Sequence, residues 1–137
     1  MTWFVDTNIC ISFLNDTSEP VADRFVSADL DSVKIPSVVA AELLFGAQKS
    51  AKREHNLSRV RLFVQQFEVV HFGLTAAEIY GEIRAHLERA GQMIGWNDLF
   101  IAATTMAGGG TLVTNNTREF ERVPGLDIVD WTIAQAV

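Results

Sequence analysis

The amino-acid sequence predicts an α/β domain with a mainly parallel central sheet, and three observations lead there. Five short apolar runs of strand character alternate with longer stretches of helical spacing, which is the pattern of a parallel sheet with crossover helices. The runs at Trp3–Val5 and Thr111–Thr114 each lead into small polar or acidic residues, at the strand end where such sheets build ligand sites. The 137 residues, 48% hydrophobic and 20% charged, suit one domain over 1–137 with an ordinary core.

The remaining runs are Val33–Ile35, Val69–Phe72 and Asp127–Val129. After the first strand come Asp6-Thr7-Asn8, and then Ile9, Cys10, Ile11, Phe13 and Leu14 turn the chain apolar again. Pro20 to Ala28 sets Val21, Ala22, Phe25 and Val26 at helical spacing. Ser37 is the expected N-cap of a helix from Val38 to Lys49. Leu57, Val60, Val64 and Phe67 mark a helix over Leu57 to Phe67. Thr75-Ala76-Ala77-Glu78 has the form of a capping box opening a helix to about Ala90, with Gly91 as its stop. Trp96 to Ala107 is a further helix, ended by Gly108-Gly109-Gly110. That glycine run lacks the P-loop lysine and reads as a loop.

No apolar run reaches the ~18 residues of a membrane helix. The start, MTWFVDTN, lacks the basic and apolar regions of a secretory signal. Cys10 is the single cysteine and has no internal disulfide partner. These features predict a cytoplasmic protein without a membrane partner. The formal net charge of −6 argues against a broad nucleic-acid footprint. Yet Lys49, Lys52, Arg53, Arg59 and Arg61 form a local basic stretch opposed there only by Glu54. It is either a solvated helix surface or a basic face on an acidic body.

Three carboxylates stand in apolar company. In SVVAAELLFGAQK apolar residues cover nearly every side of the helix, which should be largely buried, and Glu42 sits in its middle. NDLFIAATTMA carries Asp98 near its start, and Asp6 ends the first strand. An isolated buried carboxylate costs several kcal/mol even after relaxation, against a net stability of ~5–15 kcal/mol. A basic partner, protonation or a shared cation has to compensate. Asp6 can act as a helix cap and Asp98 suits a helix N-terminus, whereas Glu42 has no such local role. Glu119 and Glu121 lie in the polar stretch TREFERV. A hard divalent cation accounts for the three acids together, and Mg²⁺ in particular is held by a few carboxylates with water and phosphate. His55, His71 and His86 show no ligand spacing, so a Cys/His zinc site is not expected.

DTNICISFL, SVVAAELLFGAQKS, IGWNDLFIAA and LVTNNTREFERVPGL, in this order, resemble a PIN-domain ribonuclease, and more closely the VapC-type toxins of bacterial toxin–antitoxin pairs. The resemblance runs nearly end to end. It implies a three-layer α/β/α PIN fold and a Mg²⁺- or Mn²⁺-dependent endoribonuclease, usually a homodimer. It also implies an antitoxin whose tail covers the active site within a toxin–antitoxin hetero-oligomer, and structured RNA such as a tRNA loop as substrate. Carried over by position, the catalytic acids are Asp6, Glu42 and Asp98. Many relatives have a fourth aspartate where this chain reads Asn115-Asn116-Thr117-Arg118-Glu119, so that role passes to Glu119 with Asn116 beside it. Asp6 and Asp98 are the expected metal ligands, Glu42 orients water or acts as base, and Thr7 and Asn116 support the first shell or the phosphate.

Two other readings use the same residues. Asp6 as a covalent phospho-acceptor is opposed by Asn8, two positions on, where a second aspartate is wanted, and by the lack of a lysine after a late strand. An interaction module, with the acids as caps and polar pairs, predicts no stabilisation by Mn²⁺.

Overall fold

In the computed structural model, which describes residues 1–134, five strands form one sheet in the order β3-β2-β1-β4-β5. They are β1 (Trp3–Val5), β2 (Val33–Pro36), β3 (Glu68–Val70), β4 (Thr111–Val113) and β5 (Ile128–Val129). All neighbours pair in parallel. The helices are α1 (Thr7–Leu14), α2 (Glu19–Ser27), α3 (Ser37–Gln48), α4 (Arg53–Gln65), α5 (Leu74–Ala90), α6 (Trp96–Ala107) and α7 (Thr117–Phe120), with a 3₁₀ turn at Leu30–Ser32. The chain steps from β1 outward to β2 and β3, then crosses back to β4 and β5. With right-handed crossovers, α1–α4 cover one face and α5–α7 the other, giving three layers. The direction of travel reverses between β1 and β4, and open parallel sheets place ligand sites at the strand carboxyl ends beside such a reversal.

The core explains the elements. Phe4 and Val5 are buried in the sheet, and Phe25 packs between Phe13, Phe63 and Trp131 on the α1–α4 side. On the other side Tyr80 of α5 stacks on Phe100 of α6, which meets Phe72 edge-on. The glycine run is a loop with a packing reason. A β-carbon on Gly108 or Gly110 falls 2.4 Å from the Phe4 ring, so the ring of the central strand needs both glycines.

Several boundaries differ from expectation. Ser37 is the first helical residue, with Pro36 as N-cap and no side-chain cap bond. The Thr75–Glu78 capping box does not form, because α5 begins at Leu74 after Gly73. Gly91 does stop α5, in the left-handed conformation at φ 66°. A turn rich in polar residues, Arg53–Asn56, extends α4 ahead of Leu57. α3 is buried on one side only: Val39, Ala40, Leu43 and Ala47 are covered, whereas Ala41 and Phe45 face solvent and Glu42 is half-buried.

Candidate active site

The crevice between β1 and β4 is built by register. Val5 pairs with Val113, so the next residues, Asp6 and Thr114, emerge side by side. The Asp6 amide donates to the Val113 carbonyl at 2.9 Å, and the buried Thr114 hydroxyl donates to Asp6 Oδ2 at 2.7 Å. Asp6 is also the N-cap of α1, its Oδ1 accepting from the Thr7 amide at 2.8 Å. Both carboxylate oxygens therefore have partners on a side chain that is 5% exposed.

Two chains of hydrogen bonds leave Asp6. On one side Thr7 Oγ1 donates to Glu42 Oε1 at 3.0 Å, tying the start of α1 to the middle of α3. On the other, Thr114 Oγ1 accepts from the Asn116 amide at 3.0 Å. Asn116 Nδ2 donates to Glu119 Oε2 at 2.7 Å, and the Gly95 amide donates to Glu119 Oε1 at 2.7 Å. Asp98 in the first turn of α6 shares a hydrogen bond with Glu119. All six residues expected from the sequence thus lie in one network. Thr114, which the sequence marks only as the end of a strand run, is its junction. Its position was encoded in the β1–β4 register, across 108 residues of chain.

The electrostatics follow from crowding. Burial raises the Asp98 carboxyl to about 7, helped by repulsion from Glu119, Asp6 and Glu42 and by its bond to Glu119. Burial likewise raises Asp6, against the Thr114 and Thr7 hydrogen bonds that lower it. Burial also acts upward on Glu119, but the Gly95 amide, Asn116, Asp98 and nearby Arg122 outweigh it and hold Glu119 below its ordinary value. The two neighbouring carboxyls are therefore pushed in opposite directions, Asp98 up and Glu119 down. Among the described residues, no ion pair reaches Asp6, Glu42 or Asp98. Nor do three or more His, Cys, Asp or Glu side chains among them close a metal cage by themselves.

The basic stretch divides. Lys49, Lys52, Arg53 and Arg61 are exposed. Arg59 turns inward, donates to the Leu14 carbonyl and lines a cleft of about 240 Å³ whose wall includes Glu42. A second groove, of about 450 Å³, runs from Glu42 past Phe45 and Phe72 to Asn97. Among the described residues no helix is long and apolar enough to cross a membrane.

The PIN domain family model matches residues 3–126. The chain is 39% identical over 132 residues to Ribonuclease VapC2 of Rickettsia felis, covering 96% of this chain and 98% of that one. It is 40% identical over 132 residues to the tRNA(fMet)-specific endonuclease VapC of Shigella flexneri, covering 96% and 99%. The DNA-bound VapBC structure from Salmonella typhimurium matches with a TM-score of 0.90 at 39% identity, over 96% of this chain and 98% of the other. VapBC2 of Rickettsia felis bound to a promoter DNA fragment gives 0.89 at 38%, over 96% and 99%. Matches of this length, in fold as well as in sequence, make the chain a member of the PIN-domain family, on its VapC ribonuclease branch.

Proposed function

We propose that this protein is the toxin of a toxin–antitoxin pair, an endoribonuclease that hydrolyses RNA phosphodiesters at Asp6, Glu42, Asp98 and Glu119. PIN ribonucleases as a family depend on divalent metal ions, and Mg²⁺ or Mn²⁺ is the ion proposed here. The reading rests chiefly on one observation: acids from the end of β1, from α3, from α6 and from α7 join one hydrogen-bonded network. The donors suit the ion. They are hard carboxylate oxygens, two of them held above their usual range chiefly by burial, and Mg²⁺ is commonly bound by a few such carboxylates together with waters and phosphate. Asp6 and Asp98 would hold it. When bound, such an ion activates water and neutralises charge on the phosphoryl oxygens.

The chain's own residues do the rest. Thr114 and the Thr7 amide fix the rotamer of Asp6. Thr7 orients Glu42, which accepts the proton of the attacking water. Asn116 and the Gly95 amide keep Glu119 ionised beside Asp98. A covalent role for Asp6 is disfavoured, since both its oxygens are engaged and the residue is buried. Helix capping alone explains Asp6 but not Asp98. By likeness to VapBC complexes, the chain pairs with an antitoxin; an antitoxin tail over the site, a homodimer and a cytoplasmic location are proposed with it. By likeness to the Shigella flexneri relative, a tRNA is the favoured substrate. Purified protein is expected to cut RNA in Mn²⁺ but not in EDTA, and Asp6→Asn to lose about a hundredfold or more. Cleavage in EDTA, or full activity of Asp6→Asn, overturns the reading.

A further inference from the structure

The tryptophans occupy contrasting places. Trp131 is 1% exposed in the core, and the partly buried Trp3 packs against it edge-on at 5.6 Å. Trp96 is 56% exposed, although it opens α6 only two residues before Asp98. A single exposed aromatic needs no explanation by itself. Trp96, however, is organised. The Arg84 guanidinium of α5 lies 4.4 Å over the ring centroid. Arg84 is itself held by the Tyr80 hydroxyl at 3.2 Å and by Glu88 at 3.1 Å. Tyr80 in turn stacks on Phe100, one turn along α6 from Trp96. The indole is thus backed by an ordered cation, and the rest of the ring faces water.

Residues two apart on a helix point in different directions. Trp96 and Asp98 share the first turn of α6 but point in different directions, so the indole lies beside the acids and not among them. A base next to the nucleotide being cut is the group such a ring would meet. Single-stranded RNA is recognised by this chemistry, an aromatic face for the base with an arginine beside it. The local cation also matters because the body as a whole is acidic, with a formal net charge of −6. The adjacent Asn97 is exposed and polar, which suits a base edge better than an apolar protein contact.

We propose that Trp96, backed by Arg84, is a stacking platform for an unpaired RNA base beside the scissile phosphate. This rests on the ribonuclease reading and adds a substrate contact outside the acids. The test is a short single-stranded oligoribonucleotide titrated in EDTA while the emission of exposed tryptophan is followed, with cleavage kinetics in Mn²⁺ in parallel. Wild-type emission is quenched; Trp96→Ala loses the quench and binds the RNA about tenfold more weakly, and Trp96→Phe restores most of the affinity. In Mn²⁺ the KM of Trp96→Ala rises with little change in kcat, and Arg84→Met shows a shallower salt dependence of binding. Unquenched wild-type emission, or unchanged RNA affinity in a Trp96→Ala protein that melts normally, overturns the platform. So does a Trp96→Ala that binds RNA normally but assembles poorly with its antitoxin, which makes the ring a protein contact. A wild type that cuts RNA with Trp96 unquenched sinks the platform alone, whereas one that cuts no RNA in Mn²⁺ sinks the ribonuclease reading.

Discussion

Glu68, Glu54 and Glu88 each lie against a cation, Lys34, Arg53 and Arg84, whereas Asp6, Glu42 and Asp98 lie against hydroxyls, an amide and other acids. The first group is on the surface, where an ion pair contributes ~0–1 kcal/mol and water screens the rest. The second sits at the sheet's carboxyl edge, where burial strengthens repulsion. Among the described residues these three surface acids have cations, whereas the crowded acids have only hydroxyls, an amide and one another. On the ribonuclease reading proposed above, an external cation is what completes the crowded site.

Breaking the junction of that site should have the largest effect. Thr114→Val keeps shape but removes the donor to Asp6, leaving a buried carboxylate oxygen unsatisfied. The expected cost is about 1–3 kcal/mol in a denaturant titration, with RNA cleavage reduced while Thr114→Ser retains it. Equal stability and activity for the valine variant would show that Asp6 does not depend on this bond.

A pH series sharpens the same contrast. The folded carboxyl of Asp98 titrates near 7, above its unfolded value of ~3.9, so between those values the native state binds more protons than the unfolded one. In EDTA, stability is therefore expected to fall as pH rises through that window and to level off above it. Asp98→Asn should show a smaller fall and be the more stable protein at pH 8. Parallel pH profiles for the two proteins would contradict the crowding. The smallest effect belongs to the surface pair: Lys34→Met, which breaks the cross-strand contact with Glu68, should change stability by less than about 1 kcal/mol and leave cleavage unaltered.

What the sequence made legible follows from how local each signal is. Trp96–Ala107 was read at both ends because Gly95 and Gly108 punctuate it, and the acids were found because carboxylates in apolar helices are costly. Ser37 and Thr75 misled because capping residues also occur inside first turns. Here β2 runs straight into α3 through Pro36, and Gly73 starts α5 two residues earlier than the box requires. The start of α4 lacked an apolar stripe to reveal it. The open side of α3 was hidden for the opposite reason: apolar residues cover nearly every side of it, yet among the described residues no element covers Ala41 and Phe45. Thr114 as junction depended on which residue of β4 sits beside which residue of β1, and strand register over such a separation leaves no local trace.

The central claim is that Asp6 and Asp98, with Glu42 and Glu119, await one hard cation. Thermal unfolding of the wild type should shift upward with added Mn²⁺, by about 2.7 kcal/mol of stability at a hundred times the dissociation constant. The double variant Asp6→Asn/Asp98→Asn should not respond. A wild-type melt that is the same in Mn²⁺ and in EDTA would contradict the account.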